Sequence, residues 1–450
     1  MRKNAATILL AILIILMFVW GAERQGSLVN TNMRLSDQSA YMDYAKELAR
    51  SNLQYVGDRN RMPIYPGLLS FFYRQEMTNK EYFQLGKDIG IVIALLASAL
   101  TFFVFRRVST TLDACVATLV TMFTVFSYKA AYFQADVLFY GINLLLFYLY
   151  IRLIRKPQLG TAALAGITAG IGHLTKASIL PALILAGLLV TLRGTDILWR
   201  NNQAAKSQST PSDQVWHLLT HLGYTAILLI CFLVVVFPYL RTSKERFGQY
   251  FYNVNATFYI WYDSWQEVEQ GTKAHGDRIG WPDMPEEQIP SFQKYIREHT
   301  TRQIADRFFQ GLITLWESVT RSYGYAEFLL FYLIAIMLCI SQNWAQTWSI
   351  LRRANPWVIL FVVGYFFGYI SLYAWYTPIA EGNRFVLALY LPGMLVFQSL
   401  LSAAQSNDFQ FVFGGRKMSA AAISPFILLF LIAYLLTIFP DRVSTMFGGS

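Results

Sequence analysis

The feature of this sequence that most limits its fold is a succession of long apolar runs separated by short polar segments. We count about eleven runs of the length that crosses a bilayer, for which roughly twenty apolar residues suffice. The chain of 450 residues is 55% hydrophobic and has a mean hydropathy of +0.37, which is more apolar than a soluble protein of this length. Because lipid offers no partners for exposed backbone groups, such runs fold as helices. The sequence therefore predicts an all-α polytopic membrane protein.

The first predicted span follows Arg2 and Lys3 and has the apolar character of a signal peptide. We interpret Ala5–Gly21 as a retained helix, because the run is long and lacks a clear small-residue cleavage motif. The spans are predicted at 5–22, 86–105, 112–127, 137–154, 160–175, 178–193, 218–240, 324–341, 356–376, 383–402 and 421–439. The fifth and sixth are short, and one hairpin is an alternative for that pair.

Basic residues beside the spans predict which side each connection faces, since Lys and Arg concentrate on the cytoplasmic side. If Arg2 and Lys3 are inside, the other basic pairs next to spans are also inside: Arg106 with Arg107, Arg155 with Lys156, Arg193 with Arg200, Arg352 with Arg353, and Arg416 with Lys417. The outer side then holds 23–84, 128–136, the tip at Lys176, 241–323 and 376–384. We expect a bacterial inner-membrane protein with these segments on the periplasmic face.

Residues 1–450 are predicted to form one transmembrane domain with two long outer loops, at 23–84 and 241–323. The second loop carries an aromatic run of Tyr259, Trp261, Tyr262 and Trp265. Its residues 291–318 have helical periodicity. We expect interfacial amphipathic helices there, with a membrane-surface face formed by Tyr295, Phe308, Leu312 and Trp316.

The composition also argues against several classes of function. The net charge of +10 does not indicate nucleic acid as a partner, because the cations lie beside apolar spans, where they orient the protein and meet membrane lipids. No GxxxxGK[ST] loop for nucleotide phosphates is present, so a preactivated substrate must supply the energy. The three cysteines, Cys115, Cys231 and Cys339, lie in apolar spans and are expected as buried small hydrophobes rather than disulfides or metal ligands.

The first outer loop contains the best candidate for a catalytic group. From Ser36 onward the pattern predicts a helix with Asp37, Tyr41 and Tyr44 on one stripe. Asp37 is therefore a carboxylate on an aromatic face. An alternative is that Asp37 has only a structural role, as a first-turn residue that is favoured by the helix dipole, with Ser36 as the N-cap.

Other ionisable residues lie at the outer ends of later spans, and each has a purely structural alternative. Asp136 is either a site residue or the N-cap of the fourth span, and Lys176 is either a site residue or an interfacial lysine. His173 is either a ligand-binding residue or a satisfied core histidine. Glu381 and Arg384 are either site residues or a loop ion pair. Because all lie on the predicted outer side, as Asp37 does, we favour a shared site.

Carboxylates and cations beside a lipid-facing surface suit the transfer of a group from a lipid-linked phosphate. The lipid tail needs hydrocarbon, the phosphate needs Lys or Arg, and the acceptor needs a carboxylate base. The residues that fit this pattern stand in the motifs Asp37-Gln38-Ser39-Ala40-Tyr41, Arg61-Met62-Pro63-Ile64-Tyr65-Pro66, Ala135-Asp136-Val137-Leu138, Leu174-Thr175-Lys176 and Asn383-Arg384-Phe385.

In their order, spacing and common side, these motifs resemble the GT-C glycosyltransferases that use polyprenyl-phosphate sugars, especially the branch of protein O-mannosyltransferases and the lipid A aminoarabinose transferase. The resemblance runs nearly end to end. It implies a GT-C-like fold, Asp37 as the catalytic base, and Lys176 and Arg384 at the donor phosphate. We carry Arg61 as a further candidate for the donor phosphate, and Asp136 as a second catalytic candidate that positions acceptor or sugar hydroxyls. We add Tyr41, Tyr65, Glu381 and His173 as substrate-binding candidates. The chain departs from the family at Gln38, where many relatives have an acidic residue.

The resulting hypothesis is an inverting transfer from a polyprenyl-phosphate sugar to a lipid, glycan or protein acceptor. No cofactor is required by this hypothesis, although a divalent cation held by Asp37 and Asp136 is an alternative that the residues leave open, with the metal unknown. A transporter or lipid-carrier flippase is the competing class, and it predicts ionisable residues near the membrane midplane. A third alternative for the function is an envelope polysaccharide ligase or polymerase.

Overall fold

The structure, a computed structural model, describes residues 2–204, 211–321, 323–380 and 382–445. These ranges are mostly α-helical. The first ten helices are α1 (Arg2–Leu28), α2 (Gln38–Arg50), α3 (Ile64–Ser70), α4 (Asn79–Phe105), α5 (Thr111–Thr121), α6 (Ser127–Lys129), α7 (Asp136–Arg155), α8 (Leu159–Thr175), α9 (Leu180–Ala204) and α10 (Pro211–Phe247).

The second half of the chain continues this helical pattern and adds one hairpin. Its helices are α11 (Val254–Thr257), α12 (Trp265–Gln270), α13 (Phe292–Glu298), α14 (Thr301–Arg321), α15 (Tyr323–Gln342), α16 (Trp344–Arg353), α17 (Pro356–Tyr376), α18 (Asn383–Ser406), α19 (Ile423–Thr437) and α20 (Phe439–Arg442). Strands β1 (Gln410–Phe413) and β2 (Arg416–Ser419) pair antiparallel between α18 and α19.

Within the described ranges, nine helices are long and apolar enough to cross a membrane. A tenth span results if α15 and α16 are counted together, although the pair bends by 99° at Asn343. Helix α8 is apolar but has only 17 residues. The prediction of an all-α polytopic membrane protein is confirmed, whereas the exact count of eleven spans is not. The chain is an integral membrane protein.

Close helix packing in the interior depends on small residues, as is common where helices meet inside lipid. Helix α8 approaches α10 so closely that a Cβ on Gly166 would lie 2.3 Å from the carbonyl oxygen of Leu228. Helix α7 packs against α4, α8 and α18. Asn143 on α7 donates its side-chain amide to the carbonyl of Ala388 on α18, at 2.9 Å. These contacts fix the outer ends of α7 and α18 beside each other.

The two long loops predicted to be outer, 23–84 and 241–323, pack against each other. The backbone carbonyl of Arg59 accepts a hydrogen bond from the side chain of Asn253 at 2.9 Å. The Arg59 guanidinium lies over the ring of Tyr239, 4.0 Å from its centroid. A separate apolar core forms around side chains of the second loop and one residue that follows α17: Phe247, Tyr252, Val254, Phe258, Tyr259, Val268 and Ile379.

The stretch 291–318 forms two helices, α13 and α14, with a break at His299 and Thr300. Tyr295 is only 3% exposed and donates its hydroxyl to Asp263 at 2.8 Å. The expectation that it faces the membrane surface is wrong, because this hydrogen bond and its ring packing hold it inside the loop. Phe308 and Leu312 pack against the main core. The exposed apolar stripe of α14 consists of Phe309, Ile313 and Trp316.

The three cysteines are free thiols, and they differ in exposure. Cys339 is buried, as expected, whereas Cys231 is intermediate. Cys115 is exposed, so the expectation that it is buried is wrong. Its neighbours Asp113 and Ala114 are buried, because the helical period turns those positions toward the protein and Cys115 outward.

Candidate functional site

The start of α2 determines where Asp37 points. Ser36 has a φ of 55°, and Asp37 itself takes the N-cap position without any side-chain capping hydrogen bond. The alternative in which Ser36 caps the helix and Asp37 merely serves its first turn is therefore wrong. The Asp37 carboxylate is instead available for contacts across the loop.

Asp37 lies between two arginines from distant parts of the chain. Its Oδ1 accepts from Arg61 Nη2 at 2.8 Å, and its Oδ2 accepts from Arg384 Nη1 at 2.9 Å. Burial raises the pKa of Asp37, but the positive charges of Arg61 and Arg384 outweigh that effect and hold the pKa below its usual value. Asp37 is consequently an ionised carboxylate at neutral pH.

Gln38, the position at which the chain departs from the resembled family, has a structural role. Its Oε1 accepts from the backbone N–H of Phe133 at 2.9 Å and from Asn30 Nδ2 at 2.9 Å. Its Nε2 donates to Asn30 Oδ1 at 2.7 Å. Gln38 thus ties the start of α2 to the end of α1 and to the 130–135 connection, and an acidic residue could not make the donor contact.

Arg61 lies close to a second carboxylate and to an aromatic ring. Besides Asp37, its guanidinium donates to Asp58 Oδ2 at 3.3 Å and lies 5.9 Å from the ring centroid of Tyr41. The rings of Tyr41 and Tyr65 meet edge to face at 5.4 Å, and both side chains are buried. Burial raises the pKa of Tyr41. The structure therefore places Tyr41 and Tyr65 next to the charged side chains. That either tyrosine contacts substrate stays a prediction.

Asp136 and Lys176 form a second ion pair beside the first. Asp136 is the first residue of α7, and Ala135 takes the N-cap position; the alternative in which Asp136 is the N-cap is therefore wrong. Lys176, in the break between α8 and α9, donates its ammonium to Asp136 Oδ1 and lies 5.3 Å from the ring centroid of Phe139. Arg384 also lies close enough to Asp136 to act on it electrostatically. The pairs Asp37–Arg384 and Asp136–Lys176 are therefore neighbours.

Lys129, which the sequence analysis did not single out, joins this cluster. Its ammonium donates to Asn383 Oδ1 at 3.0 Å, and its electrostatic neighbours include Asp136, Arg384 and Lys176. In the sequence, Lys129 is one lysine at the end of an apolar span, which is an ordinary interfacial position. Only its position at the outer end of the third span suggested the same face.

Two other predicted residues do not extend the cluster. His173 is 3% exposed, and its ring contacts Phe232, Tyr239 and Phe251. None of these contacts belongs to the charge cluster, so a substrate contact by His173 stays a prediction. Glu381 lies outside the described residues.

An apolar groove opens next to the charge cluster, between α14, α15, α17 and α18. It has a volume of about 600 Å³ and is lined almost entirely by apolar side chains. On α18 the lining residues fall on one half of the helix surface: Asn383, Val386, Leu387, Leu389, Tyr390, Gly393, Val396 and Phe397. At 1.5 Å per residue, Asn383 to Phe397 spans about 21 Å, which is more than half the bilayer core of about 30 Å. Asn383 therefore connects the cations to a groove that runs deep into the membrane.

A divalent cation fits the two carboxylates poorly. Asp37 has two arginine partners and Asp136 has Lys176, and these cations would repel a metal ion at the same oxygens. Among the residues that the structure describes, no group of three or more His, Cys, Asp or Glu side chains is placed to hold a metal. The chemistry proposed below therefore uses no metal.

Comparison with known proteins gives structural neighbours but no family. No family model matches the sequence, and no curated protein matches it significantly. The oligosaccharyltransferase of Archaeoglobus fulgidus, in a complex with Zn and sulfate, aligns at 14% identity and a TM-score of 0.46, over 96% of this chain and 53% of that one. The same organism's AglB, in complex with an inhibitory peptide and a dolichol-phosphate, gives 12% and 0.47 over 97% and 56%.

A third neighbour is ArnT from Cupriavidus metallidurans bound to undecaprenyl phosphate, with 12% identity and a TM-score of 0.34 over 90% of this chain and 79% of that one. This chain spans about half the length of the two archaeal structures. At these TM-scores the neighbours do not decide the family.

Proposed function

We propose that this protein is a membrane glycosyltransferase that moves a sugar from a polyprenyl-phosphate donor to an acceptor at the periplasmic face of a bacterial inner membrane. The observation that carries the proposal is the junction at Asn383, where a cation-rich cluster meets the apolar groove. A ligand that fills both parts needs an anionic head and a long apolar tail. A polyprenyl phosphate has this combination.

The charge balance of the cluster favours a phosphate. Five cations, Arg61, Lys129, Lys176, Arg278 and Arg384, are grouped with three carboxylates, Asp37, Asp58 and Asp136. The cluster therefore carries two net positive formal charges before a ligand arrives. Arginine and lysine are the usual partners of phosphate oxygens, arginine because its planar fork can donate two parallel hydrogen bonds.

In the proposed reaction, Asp37 accepts the proton of the acceptor hydroxyl or amine while that atom attacks the anomeric carbon of the donor sugar. The bond from that carbon to the phosphate oxygen breaks on the opposite side, and its electron pair leaves with the lipid phosphate. The configuration is therefore inverted. Lys176 and Arg384 neutralise the charge that develops on the leaving phosphate, which stabilises the transition state.

The double ion pair of Asp37 suggests how donor binding prepares the base. A carboxylate with two arginine partners has a low pKa and is a weak base. When the donor phosphate draws Arg384 away from Asp37 Oδ2, one of the two effects that lower the pKa is lost. The pKa of Asp37 then rises, which makes proton abstraction easier once the donor is in place. Arg61 would keep the carboxylate oriented.

The placement of the charges argues against the transporter reading. Transporters usually hold ionisable residues near the membrane midplane. Here Asp136, Lys176 and Arg384 are grouped at the ends of α7, α8 and α18, on the side predicted to be periplasmic. This arrangement suits chemistry at a membrane surface.

The groove offers a direct test, because two glycines allow a matched pair of variants. A Cβ on Gly393 would have its nearest neighbour, Phe366, at 4.0 Å, whereas a Cβ on Gly368 of α17 would meet nothing within 4 Å. Gly393→Phe should fill the groove, while Gly368→Phe adds the same ring to a face outside it. Binding of undecaprenyl phosphate to the protein in nanodiscs should fall at least about tenfold in the first variant only.

Two results would contradict the proposal. One is equal binding of undecaprenyl phosphate by Gly393→Phe and Gly368→Phe. The other is equal binding of undecaprenol, which lacks the phosphate, by the natural protein. A density map of the complex should show the phosphate between Lys176 and the first outer loop.

A further inference from the structure

Helix α14 separates the apolar groove from a second cavity of different character. This polar cavity has a volume of about 410 Å³, within the range of roughly 300–1,000 Å³ found for small-molecule sites. Its helical wall consists of Gln303, Arg307, Gln310 and Thr314, whose spacings of four, three and four residues place them on one side of α14. The groove uses Leu312, Leu315, Trp316 and Val319 of the same helix.

The wall of the polar cavity is fixed by a hydrogen-bonded network around Asp263. Its Oδ1 accepts from Arg307 Nη1 at 2.7 Å and from the Tyr295 hydroxyl at 2.8 Å, and its Oδ2 pairs with His299 Nε2 at 2.7 Å. Gly311 lets α14 approach α17, since a Cβ there would lie 1.9 Å from the carbonyl oxygen of Ala374. The cavity is therefore built on a rigid frame.

The groups that line the cavity select against an anion. Arg307 is already paired with Asp263, and its side chain is only 5% exposed. Asp306 adds a second carboxylate to the lining. The amides of Gln303 and Gln310 and the hydroxyl of Thr314 can both donate and accept hydrogen bonds. Hydroxyl-rich ligands that are neutral or carry an amine match this set, whereas a phosphate does not.

The cavity ends next to the charge cluster. Thr377 and Pro378, which line it, directly follow Tyr376. Tyr376 is electrostatically close to both Arg384 and Asp37, and its ring meets that of Phe385 at 6.0 Å. The segment that lines the polar cavity at Thr377 and Pro378 therefore continues directly into a residue that is close to the carboxylate proposed as the base.

We propose that the polar cavity binds a neutral or amino-bearing sugar unit of the acceptor. The inference rests on the proposed glycosyl transfer and names its acceptor class. The groove on one face of α14 would take the donor lipid, and the cavity on the other face would take the sugar. Helix α14 would then set the relative position of the two substrates.

Free glucosamine and N-acetylglucosamine are suitable probes, and saturation-transfer NMR on the protein in nanodiscs measures their binding. Gln310→Leu combined with Thr314→Val removes two hydrogen-bonding groups and should weaken both sugars by about tenfold. Phe309→Leu combined with Ile313→Val changes the adjacent positions on the exposed apolar stripe and should have no effect. Asp306→Asn should weaken glucosamine more than N-acetylglucosamine.

Undecaprenyl phosphate binding, measured on the same variants, separates this inference from the proposed function. The Gln310→Leu, Thr314→Val double variant should bind undecaprenyl phosphate normally, and normal binding also shows that this variant is folded. If the double variant does not bind the lipid, the sugar-binding measurement is made on the isosteric Thr314→Val single variant instead. Absence of sugar binding to the natural protein would overturn the inference. So would sugar binding that the cavity variants leave unchanged. Neither result would affect lipid binding in the groove.

Discussion

Replacing Asp37 by asparagine should have opposite effects on catalysis and on donor binding. The amide has the size of the carboxylate but neither accepts the acceptor proton nor pairs with the two arginines. Turnover should therefore fall by about a hundredfold or more, the usual scale for a lost general base. Binding of undecaprenyl phosphate should become tighter, because Arg384 no longer has to break its ion pair with Asp37 to reach the phosphate.

The expected gain in the free energy of donor binding follows from how exposed the two ion pairs of Asp37 are. The side chains of Asp37 and Arg384 are 35% and 33% exposed, so water screens much of their attraction, and we assign this pair about 1 kcal/mol. Arg61 is 12% exposed, but it keeps Asp58 as a partner at 3.3 Å and contributes less to the change. A gain of about 1 kcal/mol corresponds to roughly fivefold tighter binding.

The assay measures undecaprenyl phosphate binding and sugar transfer separately in nanodiscs, with Asp43→Asn as the control. Asp43 lies on the same helix, its side chain is 74% exposed, and its replacement should change neither quantity. Near-normal turnover in Asp37→Asn would move the base to another residue. Weaker lipid binding in that variant would refute competition between Asp37 and the phosphate for Arg384.

Three further outcomes are expected. Lys176→Ala should weaken undecaprenyl phosphate binding by roughly 1.5–3 kcal/mol, the scale of a charge-assisted hydrogen bond, and slow transfer as well; an unchanged dissociation constant would exclude Lys176 from the phosphate site. Because Arg61 and Arg384 lower the pKa of Asp37 in the free protein, kcat/KM for the donor should persist as the pH falls to about 5. In Arg61→Gln, one of these two positive charges is lost and the pKa of Asp37 is higher, so kcat/KM should be lost at a higher pH than in the natural protein. Coincident pH profiles of the two proteins would contradict this. In a background without native cysteines, a cysteine at Thr300 should react with an impermeant reagent from the periplasm, and one at Gln410 only after permeabilisation.

The sequence determined the helical class of the protein and the approximate position of its spans. This is a local property: a run of apolar residues has to form a helix in lipid wherever its neighbours lie. The candidate charges could be named for a related reason, since an ionisable residue at the edge of an apolar run stands out against its surroundings. Even so, the 17 residues of α8 and the bend at Asn343 show that hydropathy alone does not decide which apolar run counts as a full span.

Only the tertiary structure decided which charges pair. Asp37 and Arg384 are separated by 347 positions in the chain, and no periodicity links residues so far apart. From the sequence, Asp37 could be an ordinary first-turn residue and Asp136 an ordinary N-cap, and Lys129 was not predicted at all, because each local pattern has an ordinary structural explanation. The packing of α7 against α18, to which the hydrogen bond from Asn143 to Ala388 contributes, brings the first residues of the two helices together. That packing decides the partners of each charge, since a charge at a helix end pairs with whichever opposite charge the neighbouring helix end presents.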